Sequence, residues 1–407
     1  MSQTLSTSAR EIFVVLWVAL FAAMLGVGIM SPLLPTYATT LGASGMVLGF
    51  IFGGFSMARM IAMPVVGRLS DRSGRKRFIS MGLAIQALAA LAFIACETPL
   101  QLMAARMFQG LAGAMVIPIS MAYVGELSPP GRESYYMGWF TVALFAGFGT
   151  GPIVGGVIED HLSFTANFIV LGALNFIAFL GVIIFLPETG QTGQNRKSRT
   201  EIAYRVLLRN TVLRGMFIFR IANSFGRGVI AAFLPLLGEH VFGLTTTQVG
   251  IVLSANLLAT SFFQPLFGHL ADRIGRPGMM VVGTLIQSAC MVLMPLAGSF
   301  WNLLAINLFM GLAGAIAIPA ATGLIAVEGK KGAMGGSMAL FNLGMSIGLA
   351  SGPIVAGLLT DMIGYRGSFY FGAFAVFLGI VPLIGIARHL QRNNDYNKGE
   401  QGSEEIE

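Results

Sequence analysis

Charged residues are scarce in this chain. Aspartate, glutamate, lysine and arginine together make up 11% of its 407 residues, and hydrophobic residues make up 55%, whereas roughly 25% of a soluble domain is charged. A chain with so few charges cannot cover itself with a water-facing surface of ordinary polarity. The composition therefore excludes a soluble globular protein and indicates that lipid is the solvent for most of the chain.

Cysteine and histidine are also rare, which removes several classes of function. The two cysteines, Cys96 and Cys290, lie in different halves without the spacing of a disulfide or a metal site, and the four histidines are scattered. The sequence has no G-x-x-x-x-G-K-S/T phosphate-binding motif, so we expect no direct use of ATP. It also has no clustered catalytic set. We therefore predict a protein that is not an enzyme and that has no metal and no cofactor.

Long apolar runs take the place of charge. Each run is near the ~20 residues that a helix needs to cross a bilayer. We count twelve of them and number them as spans 1 to 12: residues 13–35, 46–66, 78–96, 100–124, 137–158, 165–186, 213–237, 248–268, 278–297, 300–326, 334–359 and 367–388. The predicted fold class is an all-α membrane protein with twelve transmembrane helices.

Three segments recur at one fixed separation. The matching pairs are residues 67–75 with 268–276, 110–114 with 311–315, and 151–154 with 352–355. The offset is 268 − 67 = 311 − 110 = 352 − 151 = 201 positions each time, which indicates a duplicated unit of about 200 residues. Six spans fall in each copy, so the duplication predicts two six-helix bundles around one pathway.

A polar, basic segment marks the junction between the copies. We predict an N-terminal bundle over residues 1–189, a cytoplasmic linker over 190–212, a C-terminal bundle over 213–390 and a cytoplasmic tail over 391–407. The linker is rich in glutamine, threonine, glycine and arginine, and the tail ends in glutamates. Both compositions are typical of connecting or terminal segments outside a packed core.

The net charge of +7 would suggest a nucleic-acid partner if the basic residues were clustered on a soluble surface. Apart from four arginines inside the spans, all of them except Arg366 fall on one side of the predicted topology. That asymmetry follows the positive-inside rule and places both termini in the cytoplasm. We therefore expect a lipid bilayer, namely a prokaryotic inner membrane, and no nucleic acid, and we expect a monomer.

The turn between spans 2 and 3 carries the pattern G-x-x-x-D-R-x-G-R-K, formed by Gly67, Asp71, Arg72, Gly74, Arg75 and Lys76. This pattern resembles the signature loop of the major facilitator superfamily, and the second copy repeats it with Asp272 and Arg273. We interpret the two loops as a conformational gate. Asp71 is predicted to bind the N-terminus of span 11 near residues 333–336, and Asp272 that of span 5 near Met137, because a helix N-terminus attracts a carboxylate.

Span 5 carries the spacing G-x8-G-x3-G-P-x2-G-G. Its members are Gly138, Gly147, Gly151, Pro152, Gly155 and Gly156. The spacing resembles the antiporter motif of the drug:proton antiporters within that superfamily. The second copy has Ala339 and Ala356 in place of two of the glycines. The resemblance implies antiport by a twelve-span carrier, and small residues at successive turns predict close packing against another helix.

Four arginines lie inside the spans, where a charge is costly and is normally functional. They are Arg59, Arg106, Arg220 and Arg227. Arg106 and Gln109 resemble the R-x-x-Q-G motif of the family, and Asn223 shares one side of span 7 with its two arginines. In the resembled fold spans 1, 4, 7 and 10 line the pathway, so we predict that all six residues bind substrate. Span 1 has no carboxylate, and this arginine-rich centre favours an anionic small molecule.

A proton exporter also needs a group that changes charge. The candidates are Glu126 below span 4 and Glu159 and Asp160 at the end of span 5. The sequence thus predicts a secondary transporter that works by alternating access, exporting small organic molecules, including drugs, in exchange for a coupling proton. Alternatives on the same fold are an amphiphile or lipid translocase, an uptake or anion-exchange carrier, and a sensor that does not transport.

Overall fold

The computed structural model describes residues 7–128, 132–188, 207–329 and 334–389. Every regular element in these ranges is helical. The helices are α1 (Thr7–Thr40), α2 (Gly45–Ser73), α3 (Arg75–Ile94), α4 (Pro99–Leu127), α5 (Glu133–His161), α6 (Phe164–Phe185), α7 (Thr211–Leu236), α8 (Thr246–Ile274), α9 (Arg276–Leu293), α10 (Phe300–Gly329) and α11 (Met334–Leu378). Most of the predicted linker, residues 190–206, and the predicted tail, 391–407, lie outside the described residues.

Eleven helical stretches in the described ranges are long and apolar enough to cross a membrane. The last of them runs over residues 336–389, where the sequence predicted spans 11 and 12. Its 54 residues would measure about 81 Å as one straight helix, far more than the ~30 Å of a bilayer core. Gly364 interrupts it with a positive φ of 74°, so α11 has a first arm (residues 334–363) and a second arm (365–378), after which the chain turns at Gly379 and is helical again over 380–389.

Local sequence explains where the helices begin and end. Thr98 and Thr245 each form a capping box with a glutamine three residues later, at the starts of α4 and α8. Gly74 and Gly275 have φ values of 97° and 118°, a region that favours glycine. Each of these glycines is the single residue between two helices, α2–α3 and α8–α9. The predicted tight turn at Gly74 is confirmed.

The helices pack in two sets. Within the first set α1 packs against α5 and α6, and α2 and α3 pack against α4. Within the second set α7 packs against α11, and α8 and α9 pack against α10. Two contacts dominate between the sets, α2 with α11 and α5 with α8. These two pairs are related by the 201-residue repeat, as the duplication requires.

Among the described residues, the sets share a buried apolar core at one end of the structure. We call this the far end, where α1 meets α2 and α7 meets α8; the basic end is the other, where Gly74 and Gly275 turn the chain. A joint core at the far end contains Leu48 and Ile51 from the first set and Phe233 and Val249 from the second. At the basic end the buried apolar residues form two separate clusters, one confined to each set.

Glycine contacts mark the depth to which the sets touch. A Cβ on Gly49 of α2 would collide with the carbonyl of Pro353, and one on Gly250 of α8 with the carbonyl of Pro152. Towards the basic end, Gly67 of α2 and Gly138 of α5 have no neighbour among the described residues within 4 Å of a Cβ position. The interface is therefore closed at the far end and is not closed at these two positions.

The glycines of the antiporter-like motif have different neighbours. Gly147, Gly151 and Gly155 lie one turn apart on α5, and each faces the backbone of α1, which confirms the predicted close packing. Gly156 instead faces Thr246 of α8, in the other set. Gly138, by contrast, makes no close contact.

We predict that Gly151→Ala destabilises the protein far more than Gly138→Ala. The new methyl of Gly151→Ala would lie 2.5 Å from Gly28 Cα, and overpacking of this kind costs about 1–3 kcal/mol. Thermal unfolding in detergent should show a midpoint several degrees lower for Gly151→Ala and a nearly unchanged midpoint for Gly138→Ala. Equal midpoints for the two variants would contradict this assignment of the motif.

Candidate substrate pathway and gates

Arg106 is buried in α4 between two aromatic rings. Its guanidinium carbon lies 4.7 Å from the ring centre of Phe55 and 5.5 Å from that of Phe52. One terminal nitrogen donates to the side-chain oxygen of Gln109. Arg106 Nε and Gln109 Nε2 are buried without a hydrogen-bond partner among the described residues. The pair therefore presents N–H donors without acceptors in a buried environment, where an unpaired donor costs free energy.

Arg220 of α7 has a similar environment in the second set. Its guanidinium lies over the ring of Phe341 at 4.6 Å, and Nη2 contacts the sulfur of Met345 at 2.8 Å. A thioether is a weak acceptor, and Arg220 Nε has no partner in the described part of the chain. The guanidinium is therefore desolvated without being neutralised.

Arg59 and Arg227 occupy related places in the two sets. The Arg59 side chain passes Gly113 of α4, with Cδ 3.8 Å from a Cβ position there, and Arg227 Nη2 lies 2.9 Å from the Cβ position of Gly314. The two glycines are 314 − 113 = 201 residues apart, so they are equivalent in the repeat. The arginines are not equivalent, because one comes from α2 and the other from α7. The sequence repeat alone did not predict this correspondence.

The four guanidinium groups lack the usual counter-charges. The ion pairs of the described residues involve Arg75 and Arg77, and no carboxylate of those residues is recorded within 4.0 Å of Arg59, Arg106, Arg220 or Arg227. Buried unpaired charges of one sign attract an anion. These four guanidinium groups are therefore suited chemically to an acidic ligand.

Asn223 has a different neighbour from the one that the helical pattern predicted. Its side-chain amide donates to Gln287 of α9, and Gln287 Nε2 lies 3.4 Å from the Asn223 carbonyl. Both residues are 1–2% exposed. A position 60° around the helix from Arg220 thus faces α9, while Asn223 Oδ1 is buried without a hydrogen-bond partner among the described residues. The part of Asn223 in substrate binding stays a prediction, and its partner Gln287 was not predicted.

At the basic end, Arg75 joins two acidic residues of the gate region. Its Nη2 lies 3.5 Å from Asp71 and 2.6 Å from Glu126. Both carboxylates are 43% exposed, and exposed ion pairs contribute little. Arg72 and Arg273 are exposed. Of the predicted partner of Asp71, residue 333 lies outside the described residues, as do the side chains of 334 and 335 and that of Asp272. The two gate contacts at this end therefore stay predictions.

The other proton-coupling candidates lie at the far end. Asp160 accepts from the backbone of Thr246 and Thr247 in α8, and Glu159 accepts from Asn167 of α6 at 3.3 Å. Glu239, which sequence reasoning passed over as a residue at the end of a span, accepts from Thr36 at 2.6 Å and from Thr246 at 3.3 Å. Its hydrogen bonds therefore connect α1 with α7 and α8.

A family model described as Major Facilitator Superfamily matches residues 16–222 and 216–405. Both copies of the repeat are thus covered. The chain belongs to the major facilitator superfamily.

Relatives in this superfamily match over nearly their whole length. An uncharacterised MFS-type transporter of Methanocaldococcus jannaschii is 30% identical over 93% of this chain and 99% of its own. Multidrug resistance protein 2 of Bacillus subtilis is 26% identical over 91% of this chain and 94% of its own. The chain is therefore a multi-pass membrane transporter of the superfamily that resembles the drug:proton antiporters.

Solved structures of the superfamily share the fold. The nucleoside transporter NupG superposes with a TM-score of 0.79 at 14% identity, over 92% of this chain and 98% of that one. The human organic anion transporter MFSD10 superposes with a TM-score of 0.64 at 20% identity, over 92% and 99% of the two chains. At these identities the likeness concerns the fold alone.

We predict that Gly314→Ala weakens the binding of an acidic probe and that its repeat partner Gly113→Ala does not. A methyl at Gly314 would displace the Arg227 guanidinium, whereas the nearest atom to a methyl at Gly113 is Phe55 Cζ at an ordinary 3.4 Å. The dissociation constant for 5-carboxyfluorescein, measured by fluorescence polarisation, should rise about tenfold for Gly314→Ala, the size of one charge-assisted hydrogen bond. Similar dissociation constants for the two variants would show that Arg227 is not part of the binding site.

Proposed function

We propose that this protein is a proton-coupled exporter of small organic anions that works by alternating access. The observation that carries the proposal is the division of the core: one joint core at the far end, and two separate cores at the basic end. Two bodies that share a core at one end and separate at the other form a carrier open to one side. Rocking about the joint would open the other side.

In this proposal the basic end faces the cytoplasm of a prokaryotic cell, and the two arms of α11 cross the membrane separately. This gives twelve crossings in two six-helix bundles, residues 1–189 and 213–390, joined by the linker 190–212. Both termini and the tail 391–407 are then cytoplasmic. The distribution of basic residues supports this orientation. The protein acts as a monomer.

Export by proton exchange is supported by the full antiporter-like motif of α5. It is also supported by the relatives of the chain, which include multidrug resistance proteins 1 and 2 of Bacillus subtilis. The preference for anions is supported by the guanidinium groups that lack carboxylate partners. The similarity to a solved organic anion transporter is consistent with this preference, although at that identity it speaks for the fold.

Transport into everted membrane vesicles tests the function directly. When the vesicle interior is more acidic than the medium, we expect vesicles that contain the protein to accumulate 5-carboxyfluorescein. A protonophore should abolish the accumulation. Vesicles without the protein control for leakage. Uptake of ethidium alone, or uptake of 5-carboxyfluorescein that ignores the protonophore, would contradict an exporter of anions coupled to protons.

We predict that Arg220→Gln raises the dissociation constant for 5-carboxyfluorescein about tenfold to a hundredfold, because a hydrogen bond to a charged group contributes roughly 1.5–3 kcal/mol. Arg227→Gln should act in the same direction. Arg220→Lys should restore only part of the affinity, since an ammonium lacks the bidentate fork. Unchanged binding in the double variant Arg220→Gln, Arg227→Gln would exclude the anion site. Arg214→Gln, at an exposed position of the same helix α7, serves as a charge-matched control.

We further predict that one of the variants Glu126→Gln, Glu159→Gln and Asp160→Asn abolishes transport driven by a pH gradient. Exchange of labelled against unlabelled probe should persist in that variant, because exchange needs no net proton movement. Full coupling in all three variants would place the proton on another group or show that the carrier is not proton-coupled.

A further inference from the structure

Two aspartates at the far end bind helix N-termini across the interface between the sets. Asp160, at the end of α5, accepts from the backbone N–H of Thr246 at 3.1 Å and of Thr247 at 2.9 Å, at the start of α8. Asp361, in the first arm of α11, accepts from the backbone N–H of Gly45 at 2.7 Å and of Met46 at 2.9 Å, at the start of α2. Each aspartate thus belongs to one set and binds a helix of the other.

The two contacts are copies of each other. The aspartates are 361 − 160 = 201 residues apart, and the first donors are 246 − 45 = 201 residues apart, the offset of the repeat. The same contact, one aspartate acceptor with two backbone N–H donors, therefore occurs at equivalent positions of the repeat. A chance surface contact would not recur with the same donors, the same acceptor and the same crossing of the interface.

A glycine one helical turn before each aspartate allows the approach. A Cβ on Gly156 would lie 2.5 Å from the carbonyl oxygen of Thr246, and one on Gly357 would collide with that of Gly45. Each contact is therefore a G-x-x-x-D unit: the glycine brings the helix N-terminus within reach, and the aspartate binds its free N–H groups. This assigns Gly156, the last glycine of the antiporter-like motif, to a contact between the sets.

The chemistry favours a carboxylate at these points. The first N–H groups of a helix have no partner within the helix, and the helix dipole attracts a negative charge there. One carboxylate satisfies two N–H groups in each contact. When the sets separate at the far end, all four hydrogen bonds break together, since their donors and acceptors lie in different sets.

We propose that Asp160 and Asp361 are a matched pair of gate residues that hold the far end closed. The proposal rests on the alternating access proposed above, but it concerns the energy of one gate; the part of Asp160 in proton coupling is tested separately, by transport. Asp71 and Asp272 have the corresponding task at the basic end in the sequence-based prediction. Asp71 pairs with Arg75 of its own set, whereas Asp160 and Asp361 each bind a helix of the other set.

Distances across the far end test the proposal without any transport. Leu100 and Trp301 are 67% and 73% exposed, begin α4 and α10 near the far end, and are themselves 201 residues apart. Spin labels on Leu100→Cys and Trp301→Cys, with Cys96→Ala and Cys290→Ala as background, report the separation of the sets by pulsed electron resonance. The parent protein in lipid nanodiscs should show a population at the short, closed distance.

Asp160→Asn and Asp361→Asn should each lower the closed-to-open ratio about tenfold, and the double variant about a hundredfold, because the two contacts are independent. Glu97→Gln is the matched control: it removes an exposed carboxylate just before α4 at the same end, which makes no side-chain hydrogen bond or ion pair with the described residues, and the distances should not change.

A second pair of variants changes the donor side of one contact, the N–H of Thr246, so that the test does not depend on the folding of the aspartate variants alone. Thr246→Pro removes one N–H donor to Asp160 and keeps the carboxylate; proline is tolerated at the first position of a helix, and Thr245 before it is already extended. Thr246→Val keeps the N–H and removes only the hydroxyl. Thr246→Pro should lengthen the far-end distance, and Thr246→Val should lengthen it less.

Three results would overturn the gate: a parent protein that is already open at the far end, an unchanged distance in the double aspartate variant, or an equal opening in Glu97→Gln. The proposed function fails separately. If vesicles do not take up 5-carboxyfluorescein but the aspartate variants open the far end, the gate stands and the export proposal falls.

Discussion

The structure depends on the need to satisfy the polar backbone without water. In a bilayer core an unpaired N–H or C=O group is too costly, so the chain crosses as helices that bond internally. Helix ends are the exception, because their first N–H groups have no partner within the helix. This protein places such ends at the far end and satisfies two of them from the other set through Asp160 and Asp361. The constraint that produces the fold therefore also supplies the contact between its two sets of helices.

Close approach of backbones is the second condition, and glycine provides it. The sets touch where Gly49 and Gly250 meet proline carbonyls, and α5 lies on α1 along Gly147, Gly151 and Gly155. Larger residues at these places would force the helices apart. In a lipid environment the hydrophobic effect does not drive helix association, so association depends on this fit and on interhelical hydrogen bonds. Glycine positions thus set both the packing within a set and the limit of contact between sets.

Much of the fold could be predicted from the sequence because its causes are periodic. Hydropathy placed the membrane helices, and the 201-residue offset paired α2–α11 with α5–α8 before any contact was known. The partner of a buried side chain is a different matter, since it depends on three-dimensional neighbours. Asn223 faces Gln287 for this reason, and Arg227 reaches the glycine that Arg59 approaches in the other copy. Asp361 could have been found by adding the offset to Asp160, but only Asp160 lay beside a recognisable motif.

The lengths of the connections determine which parts of the chain are free to move relative to one another. Gly74, Gly275 and Gly364 each join two helical segments through a single residue, which leaves no slack between them. Between α6 and α7 the chain has 210 − 186 + 1 = 25 residues, the longest separation between consecutive helices named above. Each single-residue connection lies within one set, so the direction of a helix pair inside a set is fixed at a glycine. The contact between the sets depends instead on the joint core and on two aspartates, whose partners are distant in the chain.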